Sequence, residues 1–319
     1  MKYDGPKTKL AIIVPYYKIE HFSELLEALK NQTDQNFNVY IGDDCSPRNP
    51  REIIDGFIND LNITYRRFDE NLGGKDLVAE WNRCLGLIAD EEWVWMLPDD
   101  DLPSENAVEV FYENLACHSE KNVKVFRLPL NLMDDEGEIF FRAKRKERLL
   151  ENNYDFYMEI LQGERASSLG DYIYHRQSFV AAGGFVNFPK AWLSDHATVI
   201  RAAAGGFIYY LESAALNFRV SGQNISSDFS DGLEKIKSRI LFAEWLKDNE
   251  HLFPEKPEDV FYRLLYWKGE YYVLHQWPWQ WAIFVQMYRL RSVCFGRRAL
   301  LPIIKLALKK IFMNMAGKK

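Results

Sequence analysis

No Gly-x-Gly-x-x-Gly follows the first apolar run of this sequence, and no Gly-x-x-x-x-Gly-Lys-Ser/Thr occurs in it. The first absence weakens a dinucleotide dehydrogenase and the second a P-loop NTPase, since both cradle phosphates on such loops. His-Glu-x-x-His and Gly-x-Ser-x-Gly are missing too, and the six histidines are scattered. Only four cysteines occur (Cys45, Cys84, Cys117 and Cys294), far apart and without a Cys-x-x-Cys. That fits free thiols in a reducing compartment better than a disulfide or zinc framework. The first residues contain no signal-peptide apolar core. No charge-free apolar stretch reaches the roughly 18 residues that a spanning helix needs. These absences predict a cytoplasmic location and no membrane-crossing segment.

Acidic residues are absent from one region. After Glu270 the chain has no Asp or Glu but nine Lys or Arg, so a net charge of −6 divides into −15 up to Glu270 and +9 beyond it. The acidic body argues against general nucleic-acid binding, and the basic end suggests an interaction region. The 319 residues are 47% hydrophobic and 27% charged, ordinary for a globular protein, while 15% aromatic is high.

Periodicity predicts an α/β protein. Short β-rich runs at 10–14, 37–41, 63–68, 93–97 and 123–128 alternate with helical patterns at 21–31, 53–58, 77–88 and 106–117. This order predicts a Rossmann-like, mostly parallel central sheet with helices on both faces. Right-handed crossovers then bring the loops after the strands to one edge. The middle is less regular: a turn at Asp134-Asp-Glu-Gly137, a glycine-ended helix before Phe185, a helix after Ala191, and strands near 207–211 and 215–220. From about residue 230 the pattern is helical. The expected division is a domain over 1–226 and a helical, aromatic- and basic-rich region over 227–319.

Three constellations fall in the loops. Trp93-Val-Trp-Met-Leu-Pro-Asp-Asp-Asp101 stops an apolar run at three adjacent carboxylates. Their mutual repulsion calls for water, a helix N-terminus or a cation. One could cap a helix beginning near Pro103, but a cap needs one carboxylate, not three. Hard oxygen ligands at a strand's carboxyl end suit Mg²⁺ or Mn²⁺ holding a diphosphate. Asp43 and Asp44 could accept a nucleobase N–H, or form an Asx-turn before Pro47. Asp195, beside Trp192, could cap a helix or serve as a general base next to an aromatic platform.

In order, these pieces resemble a family 2 glycosyltransferase. The matching stretches are Ala11-Ile-Ile-Val-Pro-Tyr-Tyr17, Gln32-Thr-Asp-Gln-Asn-Phe-Asn-Val-Tyr-Ile-Gly-Asp-Asp-Cys-Ser46, Glu70-Asn-Leu-Gly73, Trp81-Asn-Arg-Cys-Leu85, Leu97-Pro-Asp-Asp-Asp101, Gly183-Gly-Phe185, Ser194-Asp195 and Arg219-Val-Ser-Gly-Gln-Asn-Ile-Ser226. Cys45 stands where the family usually has Gly. The resemblance implies a GT-A fold and an inverting, metal-dependent sugar transferase using a nucleotide-diphospho-sugar, a UDP-sugar foremost. By that resemblance Pro15, Tyr16 and Tyr17 border the nucleoside and Asp43 and Asp44 receive the base. Asn71, Gly73, Lys75 and Asn82 line the donor segment. Asp99, Asp100 and Asp101 form the Asp-x-Asp motif, with Asp99 and Asp101 on Mn²⁺ or Mg²⁺. Asp195 deprotonates the acceptor hydroxyl, and Trp192 lies near a glycan or lipid-linked acceptor. Surface polysaccharide or glycoconjugate synthesis is the implied setting. The alternatives are a nucleotidyltransferase making sugar nucleotides, which lacks its glycine- and basic-rich loop here, and a non-catalytic sugar-nucleotide or membrane-docking module.

The segment 300–312 reads as an amphipathic helix with Ile304, Ala307, Leu308 and Ile311 on one side and Lys305, Lys309 and Lys310 elsewhere. With Arg289, Arg291, Arg297 and Arg298 before it, residues 289–319 could meet the inner face of an anionic membrane or pack on the catalytic domain. Trp277-Pro-Trp-Gln-Trp281 reads as aromatic core or acceptor lining.

Overall fold

The computed structural model describes residues 8–221, 230–276, 280–296 and 300–316. The sequence expectations for Trp277, Trp279, Arg297, Arg298 and the motif end at 222–226 lie outside them.

The first half alternates as its periodicity predicts: β1 (Leu10–Tyr16), α1 (Phe22–Lys30), β2 (Phe37–Asp43), α2 (Arg51–Asp55), β3 (Ile63–Arg67), α3 (Leu77–Leu85) and β4 (Trp93–Met96). There follow β5 (Leu102–Pro103), α4 (Ala107–Cys117), β6 (Val123–Arg127), β7 (Leu130–Met133), β8 (Ile139–Phe141), β9 (Leu150–Glu151), α5 (Asn153–Gln162) and β10 (Tyr172–His175). Then come α6 (Arg176–Ala181), α7 (Ser194–Ala202), β11 (Phe207–Tyr210) and β12 (Leu216–Arg219). Four helices end the described chain: α8 (Gly232–Asp248), α9 (Asp259–His275), α10 (Trp281–Phe295) and α11 (Leu300–Ala316).

Eight strands form the central sheet in the order β3-β2-β1-β4-β10-β6-β11-β9, and β5-β12-β7-β8 form a second, four-stranded sheet. In the central sheet β3, β2, β1 and β4 are parallel, as are β6 and β11. β10 runs antiparallel between β4 and β6, and β9 antiparallel to β11. The sheet is therefore mostly parallel. Five successive β1 residues, Leu10 to Val14, have no exposed surface, which is why that run is uniformly apolar rather than alternating.

Antiparallel β10 carries the consequence for the site. Its register pairs Ile173 with Trp95, so the turn before β10 lies beside the carboxyl end of β4. The Trp95 indole fixes that turn by donating to the Gly170 carbonyl at 2.6 Å.

Apolar side chains gather into two clusters, one on each face of the sheet. One holds α1, α4 and the near sides of β1, β2 and β4. The other runs from Ala11 on β1 through α3, α5 and α7 to α8, α9, α10 and α11. The helical region after 226 thus shares a core with the sheet. Among the described residues no helix is long and apolar enough to cross a membrane.

Candidate functional site

Two parallel strands, β2 and β4, deliver carboxylates to one edge, with the end of β1 between them. β2 ends in Asp43 and Asp44, both buried. Asp43 Oδ1 accepts from the Ser46 amide at 2.8 Å, and its Oδ2 accepts from the Tyr65 hydroxyl and the Arg67 guanidinium, each at 2.7 Å. The expected Asx-type turn is present, with Cys45 in the left-handed region at φ 53°, so the turn keeps the backbone shape that a glycine would give it. Asp44 bridges to the segment after β3. Its Oδ1 accepts from the Leu72 amide at 2.6 Å, its Oδ2 accepts from the Gly73 amide at 2.9 Å, and Arg83 completes the set. A β-carbon on Gly73 would lie 2.7 Å from Asp44 Oδ2. Only glycine fits so close an approach.

At the end of β1, Tyr16 is buried with its ring 4.6 Å from Phe22 and its hydroxyl donating to the Arg48 carbonyl at 2.9 Å. Pro15 is half-buried, and of the three residues only Tyr17 is exposed. In the segment after β3, Asn71 Oδ1 accepts from the Gly74 amide at 2.6 Å. Lys75 points outward to Glu70 at 3.3 Å. Asn82 is exposed, and its side-chain oxygen lies beside Gly184.

Beyond β4 the three carboxylates have separate surroundings. Asp99 Oδ2 accepts the Tyr17 and Lys18 amides at 2.8 and 2.9 Å, tying the β1 loop to the β4 loop. Burial, then the Asp100 charge, push its carboxyl up to about 6 against the pull of those two donors. Asp101 has no exposed surface. Its Oδ1 accepts the Arg219 amide at 3.0 Å, while its buried Oδ2 has no hydrogen-bond partner. Burial, then Asp100, raise its carboxyl well above the usual range. Asp101 does not cap a helix: it precedes β5, and Asn106 is the residue before α4.

Arg219 on β12 holds this turn. Its Nε donates to the Asp100 carbonyl at 3.1 Å, its Nη1 to the Asp135 carbonyl at 2.7 Å and its Nη2 to Glu24 at 2.6 Å. Among the described residues no three His, Cys, Asp or Glu side chains converge as a self-sufficient metal cluster. Asp99 and Asp101 are the two carboxylates of this turn that could offer a hard oxygen, Asp101 through its unmatched Oδ2. That suits a hard cation whose other ligands are water and phosphate.

Asp195 lies in the first turn of α7, preceded by Leu193 at φ 69°. It is not the N-cap, since Leu193 occupies that position. Its side chain is 17% exposed. Burial pushes its carboxyl up to about 7; the His196 amide opposes this, and the Asp171 charge adds to it. Burial drives the imidazole of His196 down to about 3. The 3.9 Å approach of His196 Nε2 to Asp195 therefore pairs a carboxyl with a neutral ring. Trp192 packs its ring 4.5 Å from Lys235 Nζ, and its indole N–H is buried without a partner.

Several contributors carried no motif. Arg127 on β6 donates to Asp171 at 2.8 Å in an almost fully buried pair. The Asp171 charge acts on both Asp101 and Asp195, so the turn before β10 puts one buried ion pair within electrostatic reach of both carboxyls. Asp76 caps α3 by accepting the Ala79 amide at 2.9 Å, and its Oδ2 accepts the Asn187 side-chain amide, also at 2.9 Å. One carboxylate thus joins the start of α3 to the loop that leads to Asp195. Arg219 could have been found through the matching stretch that begins with it. Asp76, directly before the helical run at 77–88, carries the local signal of an N-cap; Arg127, Asp171 and Asn187 have none.

Residues 11–167 match the family model described as glycosyl transferase family 2. The chain carries a family 2 glycosyltransferase domain. A curated relative, glycosyltransferase GlyG of Streptococcus pneumoniae serotype 4, is 28% identical over 135 residues. That match spans 41% of this chain and 42% of GlyG, less than half of the relative's length. Among solved structures, S. aureus TarS 1-349 in complex with UDP-GlcNAc superposes with a TM-score of 0.70 at 18% identity, covering 95% of this chain and 89% of that one. The mannosyltransferase PcManGT from Pyrobaculum calidifontis, in complex with GDP-Man and Mn²⁺, superposes with a TM-score of 0.55 at 15% identity, covering 98% and 86%. The fold is that of the GT-A glycosyltransferases, with the helical C-terminal part the sequence predicts.

Proposed function

We propose that the chain is an inverting glycosyltransferase that moves a sugar from a nucleotide-diphospho-sugar to a hydroxyl of a glycan or lipid-linked acceptor. The observation that carries this reading is Asp101 Oδ2, a buried carboxylate oxygen with no partner at the carboxyl edge of the parallel strands. An orphaned buried acceptor is costly unless something binds it. Asp99 and Asp101 would hold Mn²⁺ or Mg²⁺, and the donor diphosphate would complete the coordination. When bound, the cation stabilises negative charge on the departing nucleoside diphosphate.

The chain's own residues supply the rest. Tyr17 and Pro15 would border the nucleoside, with Asp43 and Asp44 shaping the base pocket through their loops. Asn71, Gly73, Lys75 and Asn82 would line the donor segment, and Asp100 the sugar-phosphate side. Trp192 would offer an apolar face to the acceptor. Asp195, with a carboxyl near 7, is poised to take a proton from the acceptor hydroxyl at neutral pH. A glycosidase needs a second acid for its leaving oxygen. A diphosphate held on a cation does not, so one base is enough for one in-line, inverting displacement. Both solved relatives described above were obtained with nucleotide-sugars, one of them with Mn²⁺. A UDP-sugar is the first donor to test.

Calorimetry of UDP, GDP and dTDP with and without Mn²⁺ tests the donor site. The reading expects one of them to bind and to bind more tightly with the metal. No heat from any of the three, with or without metal, removes the donor assignment.

A further inference from the structure

Helix α11 presents two apolar faces, and only one is covered. Ile303, Leu306 and Ala307 are buried where the helix meets α9 and α10. Lys310 adds an anchor, donating from Nζ to the Leu274 carbonyl at 2.7 Å. At about 100° per residue, Leu301, Ile304, Leu308, Ile311, Phe312 and Met315 fall in one contiguous arc of about 100°. These six are between 40% and 74% exposed, and Phe312 is the most exposed of them. The sequence pattern grouped Ala307 with Ile304, Leu308 and Ile311. The structure separates them: Ala307 faces inward and the other three outward.

We propose that this outer face is a docking surface for an anionic phospholipid bilayer, with α11 lying in the plane of the headgroups. Charge selects this occupant. Lys305 and Lys309 are exposed on the rim of the apolar arc, where an in-plane helix meets headgroup phosphates. Glu270, half-buried on α9 and within electrostatic reach of Lys309, is the last carboxylate of the sequence. Nothing acidic on α10 or α11 opposes a negative surface. At 17 residues, or about 25 Å, the helix is suited to lying along a bilayer rather than crossing one. A second copy of the chain is a poorer occupant. An isologous pairing of this face would bring like-charged lysine rims together with no acidic side chain on the helix to answer them.

Co-sedimentation of the full chain with vesicles tests the proposal. One set is equimolar phosphatidylglycerol and phosphatidylcholine, the other phosphatidylcholine alone. The proposal expects binding to the anionic set, and a roughly thirtyfold loss for Lys305→Gln/Lys309→Gln from two surface charges. Leu308→Asp/Phe312→Asp should lose at least about a hundredfold by removing two inserted side chains. All four positions are exposed, so unchanged thermal unfolding and calorimetric nucleotide binding identify a surface effect. Equal binding to both vesicle sets, or none to either, overturns the proposal. So does a concentration-dependent dimer in sedimentation velocity that the aspartate pair dissolves, which would give the face to a second copy. Nucleotide binding is read separately, so failure of the donor reading leaves the vesicle result standing.

Discussion

Asp195 is where chemistry and burial meet most directly. Replacing it with Asn keeps the shape and removes the basicity. Turnover should fall by about 10²–10⁴, while the calorimetric affinity for nucleotide stays unchanged; an undiminished rate would remove Asp195 as the base. The same carboxyl sets a pH dependence. It is protonated below its value of about 7, so kcat/KM should rise with pH and level off above about 7. Folding feels the opposite slope from this group. The native state holds the Asp195 proton up to about 7, whereas the unfolded chain releases it near the ordinary value of about 3.9. This contribution to stability is fully present below about 4 and is lost as pH rises through 7. Urea titrations of wild type and Asp195→Asn across that window should diverge accordingly. Gly73 offers a steric test at the same scale. Ala at this position puts a β-carbon 2.7 Å from Asp44 Oδ2, and overpacking of that kind costs about 1–3 kcal/mol. Nucleotide binding should weaken about tenfold or more in calorimetry.

At the scale of elements, the α3 cap is the most exposed dependency. Asp76→Ala removes the acceptor for the Ala79 amide and should cost about 0.5–2 kcal/mol in urea unfolding. The alternating first half and the four C-terminal helices were legible in sequence because their apolar spacing is long and regular. The helical pattern read from about residue 230, with its segment at 300–312, is realised as α8, α9, α10 and α11. β10, β9 and the four-stranded second sheet were not fully legible. β10 has four residues and β5 and β9 two each, too short to show a period. Their partners are also remote: β12 pairs with β7 and β5 across long stretches of chain. The carboxylates themselves were visible, because three adjacent like charges that end an apolar strand repel one another and stand out from the run before them. What tunes them was not, since Arg127 and Asp171 meet only through the fold.

At the scale of the molecule, residues 227–319 and the sheet share one apolar cluster. The division at 226 is thus proposed as one of roles, not of cores. Removing the chain from 227 onward would uncover the α5 and α7 side of that cluster. The remainder should lose its near-ultraviolet dichroism and bind hydrophobic dye; a cooperative transition like that of the full chain would show that the first part folds alone. Charge is also divided at this scale, with the acidic residues in the body and the excess of basic ones beyond Glu270.

The bond between Asp76 and Asn187 has a mechanical consequence. The carboxylate that caps α3 also tethers the loop approaching Asp195, so loosening one removes a restraint on the other. Fraying at the helix start would slacken the route to the proposed base, and a shift in that route would pull on the segment proposed to hold the nucleotide. Damage on either flank should therefore surface as paired defects, in hold on one substrate and in aim toward the other.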